Sequence, residues 1–319
     1  MHTNAYEKNS FVVVVGGVNI DIGGRSFRPL TAKTSNPGEI HPSLGGVGRN
    51  IAHNIRLLGD DVCFLSAFGD DIYAGQIEAG CARLGIDISR ARIVPGGSTS
   101  TYIFINDADG DMTLALSDMR ICEAITPDYL MEHLDIINRA DVLVLDTNIP
   151  EESVKYLAVH AGVPVFADPV STVKAAKLLP VLDKIHTLKP NLSEAEMLSG
   201  VKIVDEESLM EAAEVLLSKG IKRVFISMGA DGIFAAEAGH MKKYPVIPAN
   251  IKNTTGAGDA FMAGLVHAYL QNMPQDRTAS FALACASVAA ESEETINPEL
   301  SVSKAVEKEK QQLRKKIGS

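Results

Sequence analysis

Short, continuous apolar runs that alternate with helical patterns constrain this chain more than any other feature. Residues 11–15 read Phe-Val-Val-Val-Val and end at Gly16. Similar runs follow at residues 62–67, 142–146, 163–168 and 224–227. Such runs are typical of strands buried on both faces. Between them apolar residues recur at helical spacing, as at Ile51, Ile55 and Leu58. The alternation predicts an α/β fold with a doubly wound, mainly parallel sheet and helices on both faces.

Two segments interrupt this alternation. Residues 25–42 are polar and rich in Pro, Gly, Ser and Thr, and Asp109-Gly110 separates two β-prone runs. Asp-Gly between such runs indicates a hairpin. We expect both segments, near residues 24–44 and 97–117, to form a small β-sheet lid on a single domain spanning residues 11–300. Residues 301–319 are predicted to form a charged, solvated helix or tail.

Composition excludes several classes of protein. The 319-residue chain carries a net charge of −10 and has no basic cluster before its tail, which argues against a nucleic-acid partner. No apolar stretch approaches the ~18 residues of a membrane span, and residues 1–10 lack a signal-type apolar run. The eight histidines show no metal-ligand spacing. We therefore expect a cytoplasmic protein whose cysteines are buried, reduced thiols: Cys63, Cys81, Cys122 and Cys285.

A glycine-rich turn directly precedes an apolar helical run at Gly256-Ala257-Gly258-Asp259. A helix N-terminus offers N–H groups and a positive dipole end to an anion, and glycines let the backbone approach it closely. Asp259 adds a base beside that anion. An anion hole with a base is what phosphoryl transfer to a hydroxyl requires. The local alternative is an ordinary loop-to-helix turn in which Asp259 only complements the helix dipole.

Polar residues follow several of the predicted strands. Because parallel α/β sheets bind ligands beyond the carboxyl ends of their strands, these residues are expected to crowd one edge. They are Asp21, Asp146, Asp168, Lys189 and Ser227.

Taken together, the motifs resemble the ribokinase-like (PfkB) carbohydrate and nucleoside kinase family over residues 11–300. The matching stretches are Asn19-Ile20-Asp21, Gly45-Gly46-Val47-Gly48-Arg49-Asn50, Lys189-Pro190-Asn191 with Glu194, Ser227-Met228-Gly229-Ala230-Asp231-Gly232 and the turn before Asp259. Within the family, Asp168-Pro169-Val170-Ser171 and residues 185–191 look like the pseudouridine kinase branch.

The resemblance implies how the acceptor is bound. Asp259 would be the catalytic base, and Gly256, Ala257 and Gly258 would donate N–H groups to the transferred phosphoryl. Residues implied to contact the acceptor are Asn19, Asp21, Gly45, Gly46, Asn50 and, from the lid, Thr101 and Asp118, with Ser100, Tyr102 and Ser117 as comparable choices. Local alternatives are that Asp21 caps a turn and that Gly45-Gly46 only leads into a helix.

The resemblance also implies ATP and Mg²⁺ as cofactors. Residues on the nucleotide side would be Lys189, Asn191, Glu194, Ser227, Gly229, Gly232, Thr254, Gly256 and Gly258. Asn191 and Glu194 would place Mg²⁺ through water, and a capped helix start is their local alternative. Asn253 and Thr255 would flank a monovalent cation. Asn253 replaces an Asp that is frequent in relatives, which leaves the K⁺ requirement open.

The predicted reaction is ATP-dependent phosphorylation of the 5′-hydroxyl of pseudouridine. Another nucleoside, or a free sugar such as ribose or fructose, is the alternative acceptor, and a non-catalytic sugar- or nucleotide-binding homologue is the alternative of another class. A dinucleotide-dependent oxidoreductase is disfavoured because Gly16-Gly17-Val18-Asn19-Ile20-Asp21 lacks the G-x-G-x-x-G turn. Since relatives pair through their lid sheets, a homodimer is expected.

Overall fold

The computed structural model describes residues 11–317, so the predicted polar segment 1–10 and the last two residues of the predicted tail lie outside the described residues. The strands are β1 (Phe11–Val15), β2 (Asn19–Ser26), β3 (Gly38–Gly45), β4 (Asp61–Leu65), β5 (Ala67–Gly69), β6 (Arg92–Val94), β7 (Thr101–Asn106), β8 (Met112–Asp118), β9 (Val142–Asp146), β10 (Val165–Asp168), β11 (Thr187–Leu188), β12 (Arg223–Ser227), β13 (Ile233–Glu237) and β14 (His240–Tyr244).

Helices connect most of these strands. The α-helices are α1 (Val47–Leu57), α2 (Ala74–Leu84), α3 (Pro127–Glu132), α4 (Leu134–Arg139), α5 (Glu151–His160), α6 (Thr172–Ala175), α7 (Leu192–Ser199), α8 (Glu206–Ser218), α9 (Ala257–Leu270), α10 (Gln275–Ala289) and α11 (Val302–Ile317). Short 3₁₀ segments occupy Arg120–Ala124, Ala176–Lys184 and Gly229–Asp231.

The main sheet has eight strands in the order β14-β13-β12-β11-β10-β9-β1-β4. It is parallel from β12 to β4, and β13 and β14 add to it antiparallel. In β1, Val12 and Val14 enter one core layer, whereas Val13 and Val15 enter the layer on the opposite face. Because successive strand residues point to opposite faces, an all-valine strand fills both layers. The predicted doubly wound α/β fold is confirmed.

A separate four-stranded sheet has the order β3-β2-β7-β8. It contains both of the predicted hairpins, with β2 antiparallel to β3 and β7 antiparallel to β8. Strand β2 begins at Asn19, earlier than the predicted lid segment, because only residues 16–18 separate it from β1. This small sheet therefore emerges directly from the carboxyl end of the central strand.

The helical segment over residues 172–184 is not one continuous α-helix. It ends as α6 at Ala175 and continues as a 3₁₀ segment in which Val181 has a non-helical φ of −132°. Pro180 lies directly before that residue, lacks an N–H and clashes with a preceding turn of α-helix. Strand β14 begins at His240, because Gly239, with a φ of 77°, makes a tight turn after β13.

The C-terminal tail differs from the prediction. Helix α10, which precedes it, begins at Gln275, directly after Pro274. Helix α11 is not wholly solvated, because Ala305 is fully buried and Val302 and Val306 pack against the core. The charged composition of this segment predicted a solvated helix, although one face of the helix is apolar.

The four cysteines are buried free thiols, as predicted. No helix within residues 11–317 is both long enough and apolar enough to cross a membrane.

Helices α9 and α10 approach closely at Gly264. A Cβ on Gly264 would lie 2.7 Å from Cα of Ala282. We expect Gly264→Ala to lower the free energy of unfolding by about 1–3 kcal/mol, because overpacking outweighs the better helix propensity of alanine. The matched control is Gly75→Ala in α2, where no atom lies within 4 Å of the added Cβ. The control should be neutral or stabilising in urea unfolding, and equal stability of the two variants would contradict the prediction.

Candidate active site

The N-terminus of α9 lies at the glycine-rich turn. Gly256 is its N-cap with a φ of 81°, and a Cβ there would lie 2.1 Å from the carbonyl oxygen of Thr295, so only glycine fits. No side chain among the described residues caps this helix. The N–H of Ala257 donates to the carbonyl of Thr254 at 3.2 Å. The first-turn N–H groups beyond Ala257 are therefore left to serve an anion.

Asp259 joins this helix to α1. Nδ2 of Asn50 donates to Oδ2 of Asp259 at 2.9 Å, although the two residues are 209 positions apart. On the neighbouring strand ends, Nζ of Lys189 lies 3.1 Å from Oδ2 of Asp168, and both side chains are almost fully buried. A Cβ on Gly258 would lie 3.3 Å from Nζ of Lys189. The structure thus brings the predicted base, the glycine turn and the predicted lysine together.

The charges in this cluster alter one another. Burial, reinforced by the negative charge of Asp168, raises the pKa of Asp259 to about 7. Burial alone would lower the pKa of Lys189, but the carboxylates of Asp168 and Asp259 outweigh it and raise that pKa. A carboxylate with a pKa near neutrality and an ammonium that stays charged suit proton abstraction beside a phosphoryl group.

Asp146 has a structural role that the sequence did not reveal. Its Oδ2 accepts from the N–H of Gly17 at 2.9 Å and from the N–H of Gly48 at 2.7 Å. A Cβ on Gly16 would lie 2.4 Å from the same oxygen. The glycines at the end of β1 and in α1 therefore make room for a buried carboxylate. In the sequence, the glycines at both contact points, Gly16-Gly17 and Gly48, could have indicated this role of Asp146.

The predicted acceptor residues come together beside this carboxylate. Nδ2 of Asn19 donates to Oδ1 of Asp21 at 2.5 Å, and burial raises the pKa of Asp21 despite that bond and the nearby Arg49. A Cβ on Gly45 would lie 2.1 Å from Oδ2 of Asp21, and Gly46 has a φ of 101°. Asp21 lies within β2, so it is not a turn cap. Gly45 gives its carboxylate space, which a plain helix lead-in would not need.

The strand register divides the predicted lid residues between two faces. It pairs Asp21 with Tyr102, and Tyr102 with Ser117, so these three side chains share one face of the small sheet. Thr101 pairs with Asp118 on the opposite face. Because side chains alternate along a strand, Tyr102 and Ser117 lie on the face of Asp21, and the acceptor contacts of Thr101 and Asp118 stay a prediction. Ser100, which precedes β7, is buried with its Oγ 3.9 Å from Sγ of Cys122.

On the nucleotide side, Asn191 and Glu194 form a capping box. Oδ1 of Asn191 accepts from the N–H of Glu194, and Oε2 of Glu194 accepts from the N–H of Asn191, both at 2.9 Å. The local alternative, in which these two residues cap the start of a helix, is therefore present in the structure. Among residues 11–317, no three His, Cys, Asp or Glu side chains cluster as metal ligands. Direct coordination by several carboxylates is thus not offered, and placement of Mg²⁺ through water is the arrangement these two residues fit.

The other nucleotide-side residues lie on turns next to this helix. Ser227 forms a parallel bridge with Asn191, and its Oγ donates to the carbonyl of Pro190 at 3.4 Å. A Cβ on Gly232 would lie 2.0 Å from the carbonyl oxygen of Tyr244. Gly229 has a φ of 58°. Both glycines are required by the backbone, which is compatible with a loop that borders a nucleotide.

Asn253 closes the loop before α9 by its own side chain. Its Nδ2 donates to the carbonyl of Glu293 at 3.0 Å, and its Oδ1 accepts from the N–H of Thr255 at 2.9 Å. Both polar atoms of the Asn253 amide therefore form hydrogen bonds within the protein, and the role of Asn253 and Thr255 beside a monovalent cation stays a prediction.

Comparison with known proteins agrees with this geometry. A family model described as "pfkB family carbohydrate kinase" matches residues 9–301. The chain is 41% identical over 301 residues to a pseudouridine kinase from Escherichia coli K12, covering 94% of this chain and 96% of that one. It is 37% identical over 301 residues to an uncharacterized sugar kinase, YeiI, from the same bacterium, covering 94% and 83%.

Solved structures show the same architecture. A carbohydrate kinase from Agrobacterium tumefaciens superimposes with a TM-score of 0.81 at 25% identity, covering 94% of this chain and 97% of that one. With the uncapped α9 N-terminus, the Asp259 carboxylate and a family match over nearly the whole chain, this protein belongs to the pfkB family of carbohydrate kinases and is an ATP-dependent kinase that acts on a hydroxyl group.

Proposed function

We propose that this kinase phosphorylates the 5′-hydroxyl of pseudouridine. The observation that carries the proposal is the contact of Asp259 with Asn50, which sets the base beside the residues around Asp21. The choice of pseudouridine rests on similarity to the E. coli pseudouridine kinase. The similarity to YeiI and, at 28% identity, to a ribokinase from Haemophilus influenzae makes another nucleoside or a free sugar the alternative acceptor.

In the proposed reaction Asp259 accepts the proton of the acceptor hydroxyl as its oxygen attacks the γ-phosphorus of ATP. The bond from that phosphorus to the β,γ-bridging oxygen breaks, and ADP leaves with the bond's electron pair. The N–H groups of the α9 N-terminus and the ammonium of Lys189 stabilise the charge on the transferred phosphoryl. Asn191 and Glu194 place Mg²⁺ through water, and Ser227, Gly229, Gly232 and Thr254 border the nucleotide.

Several further properties belong to the same proposal. Asn19, Asp21, Gly45 and Gly46 hold the sugar, and the small sheet acts as the lid. The bridge from Asn253 to the Glu293 carbonyl supports turnover without a bound K⁺. Four buried free thiols support a reducing, cytoplasmic location.

The second face of the lid sheet supports a homodimer. It carries large apolar side chains that are exposed in one chain, whereas Asp21 and Tyr102 lie on the other face. The exposed residues of this apolar lid face are Ile40, Ile103, Ile105, Leu114 and Leu116. Contiguous exposed apolar surface marks an interaction site, and a second copy of the chain offers the matching surface.

Turnover with a panel of acceptors tests the substrate. We expect kcat/KM for pseudouridine to exceed that for uridine, adenosine, ribose and fructose, by at least ~100-fold over uridine, which corresponds to about 2.7 kcal/mol of transition-state binding. Preference for a free sugar would contradict pseudouridine as the substrate and would leave the kinase activity unaffected.

Asp259→Ala separates catalysis from binding. Removal of the base should lower kcat at least ~10²-fold while leaving ATP affinity, measured by calorimetry, nearly unchanged. Parallel loss of ATP affinity would show instead that Asp259 acts structurally. A wild-type chain that binds ATP and transfers no phosphoryl group to any acceptor would support the non-catalytic alternative.

The raised pKa of Asp259 makes stability depend on pH. The folded chain keeps this proton up to pH about 7, whereas the unfolded chain releases it near the ordinary value of 3.8. Between these values the folded state binds more protons, so its stability falls as pH rises. We expect Asp259→Asn to raise the free energy of unfolding by about 1–4 kcal/mol at pH 8, and progressively less toward pH 4.

The matched control for that experiment is Asp205→Asn. Hydrogen bonds from Ser208 lower the pKa of Asp205, so its stabilisation is present above the ordinary pKa and is lost as pH falls. Urea unfolding from pH 4 to pH 8 should therefore show stability differences of opposite sign for the two variants. Parallel pH curves for wild type and Asp259→Asn would contradict the prediction.

A charge in the apolar lid face tests the dimer. Leu116→Glu should convert a dimer into a monomer in light scattering after size exclusion, because burying an unpaired carboxylate is unfavourable. Val204→Glu, at an exposed apolar residue before α8, is the control and should remain dimeric. A monomeric wild type would refute the dimer.

A further inference from the structure

A polar pair outside the predicted site lies beyond the carboxyl end of β9. Nζ of Lys174 donates to Oδ1 of Asn148 at 2.5 Å. Asn148 is buried and Lys174 is half-buried. Within the described part of the chain, this amide oxygen is the one hydrogen-bond partner of the Lys174 ammonium, and no carboxylate forms an ion pair with it. An ammonium has three donors, so two of those on Lys174 remain for water or a ligand.

The pair borders the proposed acceptor site. A Cβ on Gly17 would lie 3.2 Å from Nδ2 of Asn148, and the carbonyl oxygen of Gly17 lies 2.5 Å from the corresponding position on Gly46. Gly17 therefore separates Asn148 from the glycines next to Asp21. Since two residues span at most about 7 Å, Asn19 lies within that distance of Gly17. The proposed acceptor site and the Lys174–Asn148 pair thus lie on either side of the connection between β1 and β2, residues 16–18.

The backbone that carries Lys174 is held in a strained turn. Val170 has a φ of 63°, a conformation that is rare for a β-branched residue. The turn is fixed because Oδ1 of Asp168 accepts from the N–H of Val170 at 2.9 Å, while Oδ2 of Asp168 pairs with Lys189. One carboxylate therefore positions both the phosphate-side lysine and the turn that leads to Lys174. Strain of this kind persists where surrounding contacts enforce it, and it is frequent at ligand sites.

The chemistry of the pair restricts its ligand. Because Oδ1 of Asn148 is occupied by Lys174, the ammonium adds donors and no acceptor to this side of the site. A carbonyl oxygen can accept from these donors. An exocyclic amino group would bring donor against donor, and a free sugar carries no heterocycle and therefore no base carbonyl.

We propose that Lys174, held by Asn148, is a specificity-determining residue that recognises a carbonyl oxygen on the heterocycle of a nucleoside acceptor. The inference rests on the proposed nucleoside kinase function and deepens it. It predicts that bases whose exocyclic polar groups are all carbonyls, as in uracil, are favoured over bases with an exocyclic amino group, as in cytosine or adenine, and over free sugars.

Lys174→Met tests this, because methionine keeps much of the apolar stem and removes the ammonium. The probes are pseudouridine, uridine, cytidine, adenosine and ribose, each with ATP and the full-length chain. We expect kcat/KM for pseudouridine and uridine to fall about 10- to 100-fold, the range for a lost hydrogen bond to a charged donor, with ribose turnover unchanged. The advantage of uridine over cytidine should disappear.

Lys177→Met is the matched control. Nζ of Lys177 donates to the carbonyls of Thr147 and Ile149, at 3.0 Å and 2.7 Å, so its ammonium is already used within the backbone. This variant should lower the melting temperature and leave the ratios between acceptors unchanged.

The outcomes separate this inference from the proposed function. If wild type prefers pseudouridine and Lys174→Met retains the same acceptor ratios, the inference fails and the function stands. If wild type prefers a different carbonyl-bearing nucleoside and Lys174→Met removes that preference, the substrate fails and the inference stands. An equal fall in kcat/KM for every acceptor, ribose included, would show that Lys174 has a structural role. A wild type that is active on free sugars alone would overturn both the proposed substrate and this inference.

Discussion

Oδ2 of Asp146 accepts from the N–H groups of Gly17 and Gly48 and so joins the end of β1 to the beginning of α1. The rest of the site depends on this junction. The chain leaves β1 into the lid strand that carries Asp21, and α1 carries the Asn50 amide that reaches Asp259. A buried carboxylate is costly without hydrogen bonds, and backbone donors compensate for its burial without adding a second charge. Gly16 and Gly48 leave room for this carboxylate, because a Cβ at either position would lie 2.4 Å or 3.0 Å from Oδ2 of Asp146.

Several buried carboxylates and a buried lysine lie together at the strand ends, so the negative charges there outnumber the positive one. The carboxylates of Asp168, Asp259 and Glu194 all act on the buried Lys189, and the negative charge of Asp168 contributes to the raised pKa of Asp259. The raised pKa of Asp259 shows that its buried charge is unfavourable. The same raised pKa suits the general base proposed for this residue, since its proton is released near neutrality. Asp168 also anchors the strained Val170 turn, which couples the phosphate side to the proposed acceptor subsite.

The lid illustrates how one sheet can serve two purposes. Its residues alternate, so Asp21, Tyr102 and Ser117 share one face while Ile103 and Leu116 lie on the other. A polar face can contact an acceptor, and the apolar face can be covered by a second chain. One register therefore determines both surfaces, and a shift by one residue would exchange them.

The sequence by itself determined the α/β architecture, because five apolar runs alternating with helical patterns have few other ways to bury their surface. It also predicted that Gly256 and Asp259 lie at the N-terminus of a helix, because a glycine-rich turn directly precedes an apolar helical run. Only the tertiary structure decided the role of Asp146, the lid face that carries Tyr102, the break at Pro180 and the Lys174–Asn148 pair. These depend on strand register and on contacts between distant residues, which local periodicity does not encode.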